Sequence, residues 1–424
     1  MTAIYLIMGA GRSGIAASKL LLHHGAQVVL FDDQRESQLG YFKSSGLSGH
    51  ERLSTCFGQR LSVNLSVYKA LILSPGISFE HELIKKAQKL GLNIMSEIDC
   101  AYDFLPALKI IGVTGTNGKS TTTIMIEHIL RTAQARAYAC GNLGVPLCEL
   151  ALTALKEPID YLVVELSSYQ LENTHKLKLD AAVLLNITPD HLDRYDNINQ
   201  YEQAKLKILD LLKLDNKSTG IINQKLSHLI YNKNKIMFFD PKDTNILNKI
   251  SIIGIHNQEN ALAAFLVSKA LGISEEYIFS GLASYTPLPH RCELVGIKNN
   301  ISYINDSKGT TVVAVTKALS LAQGQVHLLL GGQAKGEDFS ALRPEYFPHI
   351  SGYYIFGQAE PEIKQALCTT KAHSFENLSA AFKSAQKSAK AGDTILLSPG
   401  CASFDQFKDY TERGELFRSL VENI

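Results

Sequence analysis

The sequence has almost no excess charge of either sign and no long hydrophobic run. Its 42 lysines and arginines nearly balance 41 aspartates and glutamates, and the net charge is +1. The lack of a basic or acidic excess argues against a nucleic-acid partner. No apolar stretch approaches the length of a membrane span, and the strand-like segment 4–8 follows the first residues with no charged leader. We therefore expect small-molecule ligands, no nucleic acid, no membrane insertion and a cytoplasmic location.

The sequence also lacks the cysteine spacing of a secreted or zinc-binding protein. Its seven cysteines are scattered from Cys56 to Cys401, and none of them forms a C-x-x-C pair. A disulfide framework needs an even set of partners, and a zinc ribbon needs closely spaced thiols. We therefore interpret the cysteines as reduced thiols.

Length and apolar content predict more than one domain. A chain of 424 residues with 45% hydrophobic residues exceeds what a single hydrophobic core usually supports. Short apolar runs alternate with longer helical patterns, such as 13–23 and 81–90, and this alternation is typical of a parallel α/β sheet. Strands are predicted at 4–8, 28–31, 70–73, 109–114, 161–166, 181–187, 301–305, 326–330, 353–356 and 394–397.

Two positions in this alternation indicate domain boundaries. A new strand and helix begin after Pro106, and a turn-rich segment, Thr286-Pro-Leu-Pro-His290, precedes the last group of strands. We predict three α/β domains, at residues 1–107, 108–288 and 289–424. Segment 218–253 is predicted to form only short strands with loops.

A phosphate-binding loop is the most specific motif. Residues 112–120 read Gly-Val-Thr-Gly-Thr-Asn-Gly-Lys-Ser, between a predicted strand and a helix that starts at Lys119. Backbone N–H groups at such a helix start can surround phosphate oxygens, Lys119 can neutralise the β/γ charge, and Ser120 can bind Mg²⁺. Val113 stands where the general pattern has its first glycine. A plain glycine turn before a helix is the alternative, and the strand and helix context argues against it.

A second glycine-rich turn lies at the N-terminus. Residues 9–14 read Gly-Ala-Gly-Arg-Ser-Gly after a strand, and Asp32 and Asp33 end the next strand. This pattern fits a Rossmann dinucleotide-binding turn. Alone it does not distinguish NAD, a nucleotide sugar or simple packing. An NAD-dependent oxidoreductase is one alternative, but it leaves the second phosphate loop unexplained.

Ionisable side chains follow two strands beside the phosphate loop. Glu165 lies at the end of one strand and His191 in the polar segment after the next. Together they can hold Mg²⁺. Taken alone, His191 is more often a structural hydrogen-bonding histidine and Lys205 more often a solvated helix lysine. Three later strand-end loops, at 305–311, 331–339 and 397–407, are also rich in polar residues, and Lys335 is placed to meet an anion.

These motifs, in this order, resemble the Mur ligase family over nearly the whole chain. The family-wide set comprises segments 114–120, 141–144, 165–168 and 289–291 with Asp190, His191, His256, Asn257 and Asn260. Segments 305–308, 397–399 and 401–407, with the short N-terminal domain, are similar to the member of that family that adds D-glutamate. The resemblance implies an N-terminal Rossmann-like domain, a central P-loop ATPase-like domain and a C-terminal Rossmann-like domain.

The resemblance also implies an activity and its ligands. The chain is expected to be an ATP-dependent acid–amino-acid ligase that joins D-glutamate to UDP-N-acetylmuramoyl-L-alanine through an acyl-phosphate and a tetrahedral intermediate. This reaction belongs to bacterial peptidoglycan precursor synthesis. Two Mg²⁺ ions, a carbamoylated Lys205 as a metal ligand and a monomeric state are expected with it.

Site residues follow from the resemblance by position. The expected ATP contacts are Gly115, Thr116, Asn117, Gly118, Lys119, Ser120, Thr121, Asn257, Asn260, Arg291 and Asp306. Those for the UDP-sugar are Arg12, Ser13, Asp32, Asp33, Ser74, Asn142 and His191, and those for D-glutamate are Thr310, Lys335, Ser403 and Tyr410. The expected metal ligands are Ser120, Glu165, His191 and Lys205, and the expected catalytic residues are Lys119, His191, Lys205 and Lys308.

The sequence departs from the family pattern in the last domain. Thr311 stands where asparagine is expected, and Tyr410 where phenylalanine is usual.

Another Mur ligase or a folylpolyglutamate synthetase is the nearest alternative function. A non-catalytic nucleotide-binding protein on the same scaffold is another, but loss of activity would be expected to erode ligands such as Lys119, Glu165 and Lys308, which are all present.

Overall fold

The computed structural model describes residues 2–36, 40–58, 64–77, 80–188, 195, 197–215, 217–230, 235–240, 255–286, 289–334 and 336–424, with only the backbone at 255–257 and 321. These residues form three β-sheets with helices between their strands, which confirms the predicted three-domain α/β class. Within these ranges, no helix combines the length and the apolar character needed to cross a membrane.

The first sheet contains the N-terminal glycine turn. Its five strands are all parallel, in the order β3-β2-β1-β4-β5, so the loops after β1 and β4 lie at the point where the strand order reverses. Ligands of open α/β sheets bind at such points. The strands are β1 Ile4–Met8, β2 Gln27–Asp32, β3 Leu53–Phe57, β4 Ala70–Leu73 and β5 Ile94–Ser96, and the helices are α1 Arg12–His23, α2 Gly40–Lys43, α3 Glu82–Lys89 and α4 Glu97–Tyr102.

The second sheet contains the phosphate loop. Its six strands are parallel in the order β11-β10-β9-β6-β8-β7, so the carboxyl ends of β9, β6 and β8 lie side by side. The strands are β6 Lys109–Thr114, β7 Ala137–Gly141, β8 Tyr161–Glu165, β9 Ala181–Leu184, β10 Thr219–Asn223 and β11 Ile236–Phe239. The helices are α5 Lys119–Thr132, α6 Leu147–Ala154, α7 Ser168–Glu172, α8 Ile198–Leu206, α9 Ile255–Ala270 and α10 Glu275–Ser284.

The third sheet has the order β12-β13-β17-β14-β15-β16. Its first strand is antiparallel to β13 and the other pairs are parallel, whereas the sequence predicted only a repetition of the α/β pattern. The strands are β12 Glu293–Lys298, β13 Ile301–Asn305, β14 Val326–Gly331, β15 Ile350–Phe356, β16 Ala372–Phe375 and β17 Thr394–Leu397, and the helices are α11 Val312–Leu321, α12 Glu360–Leu367, α13 Leu378–Ser388 and α14 Tyr410–Glu422.

Buried carboxylates fasten the first sheet's last helix, α4, to the second domain. Glu97 accepts a hydrogen bond of 2.6 Å from the backbone N–H of Cys148 in α6, and burial raises the pKa of Glu97 to about 7. Asp99 accepts from the backbone N–H groups of His175, Lys176 and Leu177 at 2.8, 3.0 and 3.2 Å. These contacts hold the loops of the first two sheets in one compact unit.

The described chain separates into two compact units, residues 1–285 and 286–424. The first contains two of the predicted domains, which share a continuous hydrophobic cluster that includes Ile15 of α1 and Leu147 of α6. The division at Tyr285 and Thr286 lies close to the predicted boundary at 288/289. The boundary at 107/108 stays a prediction, since the first two sheets belong to one unit.

Candidate active site

The loop between β6 and α5 turns through two glycines with positive φ, Gly115 at 154° and Gly118 at 82°. Helix α5 begins at Lys119, as predicted, and Gly118 caps it without any side-chain hydrogen bond. A Cβ atom on Gly118 would overlap with the side-chain oxygen of Asn260, so both the backbone angle and the close approach require glycine. The first amides of α5 are therefore left uncapped by a side chain, which suits a phosphate.

The phosphate loop is anchored to the end of β9. The N–H of Asn117 donates to Oδ1 of Asn186 at 2.8 Å, and Nδ2 of Asn186 donates to the carbonyl oxygen of Asn117 at 3.1 Å. The N–H of Thr116 donates to the Asn186 carbonyl at 2.9 Å. The hydroxyl of Thr116 lies 3.1 Å from that of Tyr201. Sequence reasoning marked segment 186–194 as a polar strand end but gave Asn186 and Tyr201 no role.

Two lysines converge on this loop. Nζ of Lys119 donates to the carbonyl oxygens of Gly115 and Thr116 at 3.0 and 2.9 Å, and Nζ of Lys205 donates to the same Gly115 oxygen at 2.9 Å. Lys205 is only 1% exposed, and its Nζ lies 4.6 Å from the ring centre of Tyr201. The alternative that Lys205 is a solvated helix lysine is therefore wrong.

Glu165 ends β8, beside the phosphate loop, and is 2% exposed. Its Oε1 accepts a hydrogen bond of 2.7 Å from Nδ2 of Asn142. Its Oε2 is buried and has no hydrogen-bond partner among the residues that the structure describes. A buried carboxylate oxygen without a partner is costly, and a divalent cation would satisfy it. The donor set at this strand end therefore fits Mg²⁺.

Several predicted ligands can be assessed only in part. His191 and Lys335 lie outside the described residues, and of Asn257 only the backbone is described. Ser120 is buried in the first turn of α5, and the adjacent Thr121 is half-buried. Within the described ranges no group of three or more His, Cys, Asp or Glu side chains could hold a metal ion, so the metal assignment rests on Glu165 and Ser120.

In the first sheet, predicted UDP-sugar residues shape the glycine turn. Asp32 Oδ2 accepts from the backbone N–H of Ala10 at 2.7 Å, and the hydroxyl of Ser74 donates to the Gly9 carbonyl at 3.1 Å. Asp33 is exposed and lies 3.3 Å from Nε2 of His81. Asp32 and Ser74 thus hold the loop in which α1 begins. In the first turn of α1, Arg12 is exposed and Ser13 is half-buried.

In the second compact unit, Asp306 lies at the end of β13 and is 6% exposed. Its carboxylate accepts hydrogen bonds from the hydroxyl of Ser398 at 2.7 Å and from the backbone N–H of Cys292 at 3.2 Å. Burial raises the pKa of Asp306 to about 6, and nearby Arg291 opposes this shift. The chain segment that carries Arg291 is therefore fixed directly to the strand end that carries Asp306.

Of the predicted D-glutamate residues, the structure describes Thr310, Ser403 and Tyr410, which follow β13 and β17. Nζ of Lys308 lies 4.0 Å from the ring centre of Tyr410, and Ser403 is 2% exposed. Thr310 is half-buried. The departure at Thr311 has a local role, because its hydroxyl oxygen accepts from the backbone N–H of Ala314 and caps α11. Threonine and asparagine both serve well at that position.

Sequence reasoning missed Arg413, which is fully buried in α14. Its guanidinium donates to the hydroxyl and carbonyl of Ser307 at 3.1 and 2.8 Å, and to the carbonyls of Gly331, Cys401 and Ala402 at 3.2–3.4 Å. Burial lowers the pKa of Arg413 to about 10, so it stays charged at neutral pH. One side chain therefore joins the loops after β13, β14 and β17, and no short-range sequence pattern reveals it.

We expect Arg413→Ala to destabilise the C-terminal unit strongly. The substitution leaves a cavity and several buried carbonyls without donors, at a cost of about 3–5 kcal/mol. For a unit of this size, the melting temperature should fall by roughly 10 °C. The matched control is Arg418→Ala in the same helix, because Arg418 is 29% exposed and pairs with Glu293 at its edge. The control should cost about 1 kcal/mol or less, and equal melting shifts would contradict the assigned role of Arg413.

Comparison with protein families yields three matches, which together span most of the chain. Residues 3–96 match the family described as Mur ligase MurD-like, N-terminal domain. Residues 113–236 match the Mur ligase middle domain, and residues 290–401 match the Mur ligase, glutamate ligase domain.

Similar proteins cover the chain from end to end. The UDP-N-acetylmuramoylalanine–D-glutamate ligase of Sphingopyxis alaskensis is 35% identical over 99% of this chain and 97% of its own length. The protein of the same name from Caldicellulosiruptor bescii is 33% identical with the same coverage. Among solved structures, the UDP-N-acetylmuramate-alanine ligase of Thermotoga maritima aligns over the whole of both chains with a TM-score of 0.59 and 17% identity. A pseudomurein peptide ligase type C from Methanothermus fervidus aligns equally completely, with a TM-score of 0.58 and 18% identity.

Proposed function

This chain belongs to the Mur ligase family, and from that membership we propose that it joins D-glutamate to UDP-N-acetylmuramoyl-L-alanine in bacterial peptidoglycan precursor synthesis, with ATP as the energy source. Relatives with the corresponding name share 32–35% identity over 99% of the chain. In the structure, the observation that carries the proposal is the buried Oε2 of Glu165 beside the phosphate loop, for which the described residues supply no hydrogen-bond partner. That arrangement suits metal-assisted phosphoryl transfer.

The reaction needs ATP because a carboxylate is a poor acyl donor. Its leaving oxide is too basic, so the carboxylate of the UDP-sugar substrate first attacks the γ-phosphorus of ATP and forms an acyl-phosphate with release of ADP. The amine of D-glutamate then attacks the acyl carbon. A tetrahedral intermediate forms and expels phosphate, which leaves the new amide bond.

The phosphate loop supplies positive charge for the first step. Lys119 offsets the charge that spreads over the equatorial oxygens of the transferred group, and the uncapped amides of α5 hold the neighbouring phosphates. Positioning and charge stabilisation provide most of the rate enhancement in such reactions. Lys308 is the proposed catalytic lysine for the second half of the reaction, and His191 or a nearby carboxylate is the proposed base that deprotonates the amine.

We assign Mg²⁺ to the strand ends beside the phosphate loop. Ser120 and Glu165 would hold one ion, and His191 with a carbamoylated Lys205 would hold a second. Bound there, Mg²⁺ would supply charge neutralisation at the phosphates. The support is that Oε2 of Glu165 is buried with no hydrogen-bond partner among the described residues, and that Lys205 is buried against the loop.

The remaining ligand contacts are proposed residue by residue from the family match. ATP would contact Gly115, Thr116, Asn117, Gly118, Thr121, Asn257, Asn260, Arg291 and Asp306 besides Lys119 and Ser120. The UDP-sugar would lie on Arg12, Ser13, Asp32, Asp33, Ser74, Asn142 and His191, and D-glutamate on Thr310, Lys335, Ser403 and Tyr410. The placement of Asn260 against Gly118 is consistent with these roles. A monomer located in the cytoplasm is the expected working form.

A phosphate-release assay tests the activity. Purified protein is mixed with ATP, Mg²⁺ and UDP-N-acetylmuramoyl-L-alanine, and a panel of amino acids is added one at a time. Release that depends on D-glutamate, with little response to L-glutamate, L-alanine or L-lysine, is the expected result. Stimulation by a different amino acid would assign the chain to another branch of the family, and dependence on a folate would indicate a folylpolyglutamate synthetase.

The amino-acid site makes a further prediction at Lys335. Its ammonium is expected to pair with a carboxylate of D-glutamate, and loss of a charge-assisted hydrogen bond costs roughly 1.5–3 kcal/mol. Lys335→Ala should therefore raise the KM for D-glutamate about tenfold or more, with the KM for ATP barely changed. The control is Lys383→Ala, at an exposed position of the same unit. A rise in the KM for ATP alone would contradict the assignment of Lys335 to the D-glutamate site.

A further inference from the structure

Arg12, at the start of α1, is held by an aromatic residue that no motif singled out. Its Nε donates a hydrogen bond of 2.8 Å to the hydroxyl of Tyr41. Its Cζ lies 5.0 Å from the centre of the same ring, within the range of a cation–π contact. Tyr41 is 50% exposed, and it lies in the short helix α2 that follows β2. The ring therefore contributes little to the core and fixes the direction of the guanidinium.

The guanidinium of Arg12 also reaches the second domain. Its Nη1 lies 3.2 Å from the position that a Cβ atom on Gly144 would occupy, where φ is 127°. Arg12 forms no ion pair among the described residues: its guanidinium contacts the neutral phenol of Tyr41 and lies beside Gly144. An oriented cation, with no anionic partner in the described part of the chain, therefore lies between the glycine turn of the first sheet and the loop 141–144 of the second.

The loop 141–144 continues this contact towards the reaction centre. Asn142 in that loop donates to Oε1 of Glu165, the carboxylate beside the phosphate loop. Its backbone N–H also donates to the Glu165 carbonyl at 2.9 Å. The chain of contacts runs from Tyr41 through Arg12 and the loop to Glu165.

We propose that Tyr41 is a positioning residue for the UDP-sugar, which holds the Arg12 guanidinium over the diphosphate at the junction of the first two domains. This inference rests on the proposed function. Diphosphate oxygens are anionic and planar guanidinium groups bind them through paired N–H donors. The Nε hydrogen bond to Tyr41 leaves the two Nη groups to face the diphosphate. Tyr41 thus holds the Arg12 side chain in one orientation before the substrate binds, so less conformational entropy is lost on binding.

A double-mutant cycle tests this role, with the KM for UDP-N-acetylmuramoyl-L-alanine and the calorimetric Kd for UDP as readouts. Tyr41→Phe keeps the ring and removes the hydroxyl, so both constants should rise about fivefold. Arg12→Ala should raise them about tenfold or more. If Tyr41 acts through Arg12, the double variant should bind no worse than Arg12→Ala alone. The KM values for ATP and D-glutamate should not change.

Two results would overturn the proposal. One is an unchanged UDP affinity in Tyr41→Phe, and the other is a double variant whose loss is the sum of the two single losses, because independent effects exclude positioning. Tyr346→Phe is the matched control, since Tyr346 is 68% exposed and lies in the other compact unit. Failure of the proposed function is distinguishable, because the wild-type protein would then show no D-glutamate-dependent turnover, whatever the behaviour of Tyr41.

Discussion

Lys119→Ala should reduce ATP-dependent phosphate release at least about a hundredfold, the loss expected when a donor that stabilises transition-state charge is removed. The ammonium is already held at the phosphate loop, 3.0 and 2.9 Å from the carbonyl oxygens of Gly115 and Thr116. It therefore needs little reorganisation when the γ-phosphoryl group begins to transfer. The charge grows in the transition state, so the effect should fall on kcat more than on the KM for ATP.

The fold should survive this substitution, because Lys119 is only partly buried at the surface of the loop. Thermal melting within a few degrees of wild type would establish that. The matched control is Lys269→Ala, a lysine of the same compact unit whose side chain is 57% exposed and pairs with Glu275. Its turnover should be unchanged. If Lys119→Ala kept activity within tenfold of wild type, the loop would not be the site of phosphoryl transfer.

Strands with buried faces on both sides could be predicted closely from the sequence. The predicted segments 4–8, 70–73 and 109–114 coincide with β1, β4 and β6, because each is a continuous apolar run bounded by turn residues. The prediction was wrong at 181–187, where β9 ends at Leu184. Leu185 and Ile187 are apolar, but the backbone carbonyl of Asn186 between them accepts from Thr116 instead of continuing the strand. A hydrophobic pattern does not show that a distant loop takes the hydrogen bond that would otherwise extend the strand.

The site was predictable where motifs are local and not where contacts are long-range. The phosphate loop and Glu165 could be found because strand, turn and helix follow each other in the chain. The anchor between Asn117 and Asn186 joins residues 69 positions apart, and Arg413 reaches Ser307 over 106 positions. An arginine in a helix is most often solvated, so its burial could be recognised only after folding.

The structure changes the interpretation of Lys205, which was ambiguous from the sequence. From the sequence it was most simply a solvated lysine on a helix. In the fold it is 1% exposed, and its ammonium donates to the Gly115 carbonyl at 2.9 Å. Placing a charged amine in a buried position has a desolvation cost, which a functional role at the phosphate loop would explain.

The carbamate proposal makes a chemical prediction for Lys205→Ala. An ammonium would repel a second Mg²⁺, whereas the carbamate formed with CO₂ is an anion whose oxygens are ligands that this metal prefers. Turnover should therefore fall at least about a hundredfold, and acetate or formate should partly restore it by supplying oxygen ligands in the vacated space. Chloride at equal ionic strength should restore no activity.

The matched control is Lys207→Ala, two residues further on at a half-buried position, which should behave like wild type under every condition. A small loss in Lys205→Ala with no response to carboxylates would show that the lysine acts only as a hydrogen-bond donor to the loop.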